Sequence, residues 1–267
     1  MRSRNMYRFV DLLLLVAAVI VCCSLIGCNT AQSVAYNRDT PTDTLRVGVS
    51  IDYPPLIYKS NGHVTGLEAE LAQQFAATQD KRVEFIEQDF TDLIPALEKG
   101  KIDVIMSGMS VTRPRARRIA FGNAFLRISQ KVLVPRVDAH EYRTPWAIMM
   151  GQGNVGVVKG TTGSYLAQAR LTSATVKQYA SAEAGVRALK KGKIKLFIHD
   201  SPIIDWLASQ HEADGLVEIN YPLSQEYLAW AFRKDNDALR NAANQALEDW
   251  HSSGELERIT EKWVPSR

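Results

Sequence analysis

The sequence predicts an α/β protein of two Rossmann-like lobes joined by two hinge strands. Three observations carry that prediction. Apolar strand-like runs alternate with helical patterns from Leu45 onward, which is the signature of βα units on a sheet. The alternation breaks after Phe121 and resumes at Val155, so the units fall into two groups. Two extended runs, near 130–135 and 225–232, stand at the joins and can carry the chain from one group to the other and back.

The chain opens with a segment that does not belong to this fold. Arg2, Arg4 and Arg8 precede an almost wholly apolar run from Leu12 to Ile26, too short for a membrane span and suited to a secretory signal. The run closes on Leu25-Ile26-Gly27-Cys28. That tetrapeptide resembles a bacterial lipobox, whose cysteine is acylated and becomes the first mature residue. Small Gly27 before it and a polar tail after it favour this over an ordinary signal peptide with an incidental cysteine. The expectation is a lipoprotein signal peptide over 1–27, lipidation at Cys28, and a flexible polar tether over 28–44.

Cleavage at that point would remove three arginines and Asp11, a net +2, so the chain's +3 becomes +1. The basic balance then mostly reflects export, and no nucleic-acid partner is expected. Cys22 and Cys23 leave with the leader and Cys28 carries lipid, which excludes a disulfide or a cysteine metal site in the mature domain. The acyl chains would hold the protein at a membrane surface, in the periplasm or outside the cell. About 220 residues remain to fold, enough for one large domain or two small ones.

Within the folded part, Leu45 to Val49 reads as a strand. Leu67, Leu71 and Phe75 recur at helical spacing, and Val83 and Phe85 alternate as in a strand. Leu93, Ile94 and Leu97 mark a short helix that Gly100 stops. Ile102 to Met106 is a buried strand, and Thr112 caps the next helix with Pro114 in its first turn. Residues 137–154 read as irregular. Val155 to Val158, Val176 to Tyr179, Ile194 to Ile198 and Val217 to Ile219 are then strands, with helices after Gly160, Ser181 and Ser201-Pro202. The end is helical, with Leu239, Ala243, Leu247 and Trp250 on one face and Leu256, Ile259 and Trp263 on another. The chain thus divides into lobe 1 (45–132 and 226–267) and lobe 2 (133–225).

Two segments carry chemistry. Ser107-Gly108-Met109-Ser110-Val111-Thr112-Arg113-Pro114-Arg115 and Gly160-Thr161-Thr162-Gly163-Ser164 each end a strand and open a helix. Backbone N–H groups at such a place suit an anion. The first segment adds arginines, and His199-Asp200 ends a third strand. A carboxylate clamp with a separate carboxylate for a cation is what a free amino acid requires. In open sheets ligands sit outside the carboxyl ends of the strands, so these segments would face one another across a cleft.

At these residues the chain resembles the amino-acid-binding family of periplasmic (type II) solute-binding proteins that serve ABC importers. The matching stretches run in order from Leu45-Arg46-Val47-Gly48 and Tyr53-Pro54-Pro55 through Gly66-Leu67-Glu68, Asp89-Phe90-Thr91-Asp92-Leu93, Gly100-Lys101-Ile102-Asp103 and Thr112-Arg113-Pro114-Arg115 to Gly160-Thr161-Thr162 and Lys262-Trp263. The resemblance implies two lobes with mixed sheets that close on a ligand by hinge motion, and delivery to a membrane permease. No cofactor and a monomeric state are expected with it.

The same resemblance assigns roles. Arg115, of the pattern Thr-x-x-Arg, would take the ligand α-carboxylate in a bidentate contact, which a guanidinium fork suits. Its neighbours Arg117 and Arg118 read as a solvated face. Thr162, with Thr161 beside it, would hold the same carboxylate through N–H and hydroxyl. Asp200 would take the ammonium, with Gly108 and Ser110 lending a carbonyl and a hydroxyl. Tyr53 and Phe90 would sandwich the ligand side chain, or else pack in the core. Ser50 stands where binders of lysine, arginine or glutamine often carry aspartate, Val158 where a glutamine binder can present lysine, and His199 could line the pocket. The missing acid at 50 argues for a neutral side chain. The rival from another class is a cyclohexadienyl dehydratase-like enzyme, with His199 or Glu226 as general acid. A sensor acting through a separate partner is a further alternative.

Overall fold

The structure, a computed structural model, describes residues 43–265. The expected signal peptide, Cys28 and nearly all of the tether lie outside the described residues. Among the described residues no helix is long and apolar enough to cross a membrane.

The first lobe begins with β1 (Thr44–Val49), β2 (Asp52–Tyr53), β3 (Ile57–Ser60) and β4 (His63–Thr65). The last three form a small antiparallel sheet that the hydrophobic pattern does not reveal. Its local signal is Asn61-Gly62, both at positive φ, the pair a tight hairpin selects. Helix α1 (Leu67–Thr78) buries Leu67, Leu71 and Phe75, as their spacing predicts. Next come β5 (Arg82–Glu87), α2 (Leu93–Glu98), β6 (Val104–Ile105), α3 (Arg113–Ala116) and β7 (Ala120–Ile128). Thr112 caps α3, its Oγ1 accepting from Arg115 N–H at 3.4 Å. The region after Phe121, where the alternation breaks and no element is assigned from the sequence, is the long strand β7. It is a half-exposed edge, interrupted by Gly122-Asn123, so its alternation is weak.

The chain crosses at Ser129 and enters a second sheet with β8 (Gln130–Pro135). The stretch expected to be irregular holds a 3₁₀ segment, Arg136–Tyr142, and α4 (Pro145–Met149), which Thr144 caps. Then follow β9 (Gly153–Val158), α5 (Thr162–Arg170), β10 (Ala174–Tyr179), α6 (Ala182–Lys190), β11 (Leu196–Asp200), α7 (Ser201–Gln210) and β12 (Leu216–Ile219). The return strand β13 (Glu226–Phe232) rejoins the first sheet, and α8 (Asp237–Ser253) and α9 (Glu255–Trp263) close the chain.

The sheets are mixed, and they are built alike. Strand order is β5-β1-β6-β13-β7 in one and β10-β9-β11-β8-β12 in the other. In each, three parallel strands come first, and the strand that has just crossed from the other lobe pairs antiparallel in the fourth place. Buried Val47, Val104, Trp230 and Phe232 fill the first sheet, and Val132, Val134, Val155 and Val157 the second. Near-continuous apolar strands of this kind are what a sheet covered on both faces needs.

Candidate functional site

All six parallel strands, three in each sheet, end on the same cleft. After β1 come Ser50 and Asp52, after β5 comes Phe90, and after β6 come Ser107, Gly108 and Ser110. From the other lobe, Val158 ends β9 with Thr161 and Thr162 after it, Ala180 follows β10, and His199-Asp200 ends β11. Together with Tyr53 and Arg115 these residues line a single cavity of about 30 Å³. The ten residues singled out in the sequence (Arg115, Asp200, Thr162, Ser110, Gly108, Tyr53, Phe90, Ser50, His199 and Thr161) all lie on its wall. The space is room for one or two waters, so a larger guest requires the walls to part.

Arg115 and Asp200 come from opposite lobes. The Arg115 guanidinium donates to Ser110 O at 2.8 Å and, across the cleft, to Gly160 O at 3.2 Å. It also lies over the Phe90 ring, 5.2 Å from the centroid. Burial lowers its proton affinity, while the Asp200 carboxylate raises it. The side chain is only 9 % exposed, against the solvated Arg118, whose fork pairs with Glu98 on the surface. Thr161 caps α5: its hydroxyl donates to Val158 O at 2.8 Å and accepts from Ser164 N–H at 3.2 Å. The first amides of α5 have no carbonyl one turn back to bond, which leaves the helix start suited to an anion.

Asp200 is 3 % exposed. It occupies the cap position of α7, one residue before the expected Ser201, yet its side chain makes no capping bond. The carboxylate turns instead into the cleft, where Tyr53 O–H and Gln130 Nε2–H donate to its two oxygens. Burial pushes its pKa up, with Glu226 adding to the rise, while His199 and the Tyr53 and Gln130 hydrogen bonds oppose it. Burial likewise lifts the Tyr53 hydroxyl, with Asp200 adding to the effect. Tyr53 is also held close to Gly108: a Cβ there would sit 2.1 Å from the ring, and Gly108 adopts φ +62°.

His199 has a defined tautomer. The Asp200 amide donates to its Nδ1 at 2.8 Å, so the proton of a neutral ring sits on Nε2. Burial, first of all, disfavours the charged ring. Asp52, overlooked in the sequence, faces the same cavity, and its Oδ1 accepts from Ser50 Oγ at 2.9 Å. Glu68 and Glu70, both in the first turn of α1, separate cleanly. Glu70 pairs at the surface with Lys262 and Trp263. Glu68 is buried beneath the Ser107–Ser110 loop and accepts from Gly108 N–H, and burial pushes its pKa up to about 8. Gln130 and Glu226 also bear on the site. Both start strands at the crossings; the sequence names Glu226 only as a general acid for the rival reading, and nothing in the local pattern marks Gln130. Among the described residues no cluster of side chains is arranged to hold a metal.

The profile of the bacterial extracellular solute-binding proteins, family 3, matches residues 45–266. The chain belongs to that family. Among its relatives is a protein named Probable histidine-binding protein from Neisseria gonorrhoeae, 27% identical over 93% of this chain and 94% of that one. Among solved structures, an ancestral arginine-binding protein bound to glutamine superposes with a TM-score of 0.79 at 28% identity, covering 85% of this chain and all of the other. An ancestral amino acid-binding protein described as a precursor of cyclohexadienyl dehydratase superposes with a TM-score of 0.78 at 29% identity, over 83% and 96% of the two chains. The fold is that of the type II periplasmic binding proteins, and the family is one of extracytoplasmic amino-acid-binding components of ABC transporters.

Proposed function

We infer that this protein captures a free L-amino acid between its lobes and hands it to an ABC permease. The observation that carries the reading is the meeting of Arg115 from one lobe and Asp200 from the other in one enclosed cavity. Arg115 and the start of α5 at Thr162 take the α-carboxylate. Asp200, with Gly108 and Ser110, takes the ammonium. Tyr53 and Phe90 flank the side chain. The lobes turn about the crossings at 129–130 and 223–226. On this reading the leader is removed before Cys28, and the mature monomer works outside the cytoplasm on a lipid anchor. Glu226 does not line the cavity and burial disfavours the charged His199 ring, and a neutral imidazole is a poor acid, so neither supports a general acid toward a dehydratase substrate. Incubation with arogenate or prephenate yields no product on this reading.

The wall formed by Ser50, Asp52 and His199 chooses the side chain. His199 offers Nε2–H, a donor, and Asp52 offers acceptor oxygens. A carboxamide satisfies both at once, so a neutral polar amino acid such as glutamine fits. A second reading has its own support. The expectation of a neutral side chain rested on the absence of an acid at position 50, and Asp52 supplies an acid two residues on. A cationic side chain would find its counter-charge there.

The test is a thermal-shift screen of the twenty amino acids on the chain lacking residues 1–28, followed by calorimetric titration. A ligand at 100 times its Kd stabilises by about 2.7 kcal/mol. In Asp52→Asn, glutamine affinity falls by no more than about 10-fold on the carboxamide reading, since an acceptor remains. On the cationic reading, arginine or histidine affinity falls by about 100-fold or more. A screen in which no amino acid shifts the melting point overturns capture altogether.

A further inference from the structure

Outside the ten residues that the sequence singles out, Gln130 has the widest reach into the site. It is wholly buried and begins β8, directly opposite Asp200 in the antiparallel register. Its Nε2 bonds Asp200 Oδ1, Thr162 Oγ1 at 3.2 Å and Glu226 Oε1 at 3.1 Å. Its backbone holds the second crossing: Gln130 N–H donates to Ser224 Oγ at 3.0 Å, and Leu223 N–H donates to Gln130 O at 2.8 Å. Glu226 in turn accepts from Ser224 Oγ and from Ser110 Oγ, each at 2.8 Å. Side chain and backbone together, Gln130 therefore joins the acid of the cleft, the first residue of α5 and the second crossing.

The amide is over-subscribed. Its nitrogen carries two hydrogens and faces three oxygens, two of them from carboxyl groups. Its oxygen, by contrast, is buried with no partner among the described residues. Turning the amide over would set that oxygen against both carboxyl groups, so the orientation follows from the network. A buried acceptor left without a partner is destabilising.

We propose that Gln130 is a positioning residue for ligand capture: its amide aims the Asp200 carboxylate at the ligand ammonium, while Glu226 competes for the same donor. This rests on the amino-acid reading given above. When an ammonium neutralises Asp200, the demand on the amide falls, and Gln130 gives more of itself to Glu226. The Glu226 contacts with Ser224 and Ser110 span the second crossing and the first lobe, so ligand charge is turned into a tighter hinge.

The arrangement fixes opposite signs for two neighbouring substitutions. Asp200 is faced by Tyr53, with Glu68 behind it, by His199, with Asp52 beyond, by Arg115 and by Glu226. Gln130→Met removes a donor that favours the ionised carboxylate, so Asp200 protonates at higher pH. Glu226→Gln removes a charge that disfavours it, so Asp200 protonates at lower pH. The ammonium needs the ionised form, so affinity disappears as pH falls through that midpoint. Loss therefore comes earlier in the first variant and later in the second.

The experiment follows the carboxyl-carbon NMR signal of Asp200 with pH in the ligand-free chain, assigned by its absence in Asp200→Asn. In parallel, L-glutamine and L-arginine are titrated between pH 4 and 9. The expected result is a midpoint that rises in Gln130→Met and falls in Glu226→Gln. With it comes about a 10-fold weakening of binding at pH 7 in Gln130→Met, growing as the pH drops. Unchanged midpoints, or shifts of one sign in both variants, overturn the proposal. Should Gln130→Met fail to fold, Gln130→Asn, whose shorter amide is drawn back from Asp200, is read for the same upward shift, and an unchanged midpoint there overturns the proposal. If the midpoints part as expected but no amino acid binds the parent protein, the capture reading falls and the network stands. If amino acids bind and the midpoints do not part, only the positioning role is lost.

Discussion

The two ends of the cavity are made differently. The cationic end is one side chain set among main-chain groups. Arg115 rests on the carbonyls of Ser110 and Gly160, and its helix partner offers amides capped by Thr161. The acidic end is a mesh of side chains drawn from distant places: Asp200 and Gln130 from adjacent strands of one sheet, Tyr53 from the hairpin of the other lobe, and Glu226 from the returning strand. Backbone groups are supplied by any sequence that folds this way, so the cationic end depends on one residue. The acidic end depends on several, each limiting the others' protonation.

The comparison is broken most directly at Arg115. Arg115→Ala is expected to lower affinity by about 1000-fold or more, since a desolvated carboxylate is left without its charged partner. Arg115→Lys keeps the charge but not the fork, and is expected to lose about 100-fold. The ligand-free melting point should move by only a few degrees. The buried guanidinium carries a desolvation cost that its two carbonyl bonds roughly offset. Calorimetric titration with scanning calorimetry checks both. A collapse of ligand-free stability in Arg115→Ala would make Arg115 a structural strut between lobes.

This asymmetry also explains what could be read in advance. Thr112-x-x-Arg115 and Gly160-Thr161-Thr162 are contiguous, and the physics of a helix start is local, so the cationic end is visible in the chain. So is Asp200, at the end of an apolar strand. Asp52 is hidden because the short hairpin around it has no hydrophobic period. Gln130 is hidden because it opens an extended run, and its partners lie 32, 70 and 96 residues away. The parallel strands were legible through their apolar runs. Edge strand β7, half exposed, was not; and the mixed direction of each sheet is carried by the family resemblance and not by the apolar pattern, because strand direction is set by where the chain crosses rather than by composition.

A smaller effect is expected at Gly163, and it tests how firmly the acidic mesh is held. A Cβ at this position would stand 2.5 Å from Gln130 Oε1. A free amide end could swing aside, but this one is held by three bonds from its nitrogen. Gly163→Ala should therefore cost about 1–3 kcal/mol of stability and weaken ligand binding by about 10-fold through Asp200. Binding at full strength in this variant would show that the amide moves freely, and would place the acidic end on the same footing as the cationic one.

The smallest change in affinity, within a few-fold at pH 7, is expected at Glu68, which touches the site only through the Gly108 amide. Its consequence lies in stability. Burial raises the Glu68 pKa from its ordinary 4.5 to about 8, with the Gly108 N–H partly opposing. Between those values the unfolded chain has released this proton while the folded protein keeps it. Stability from this group is therefore whole below about pH 4.5, is lost as pH rises toward 8, and no longer changes above that. Glu68→Gln keeps the acceptor for Gly108 and carries no proton to lose, so its melting temperature should lack that decline. Melting curves of the two proteins across pH 5 to 9 should converge at the acid end and separate toward the alkaline end, the variant being the more stable. Parallel curves would mean that Glu68 stays ionised beneath the binding loop, where it would add a charge to the acidic side of the cleft.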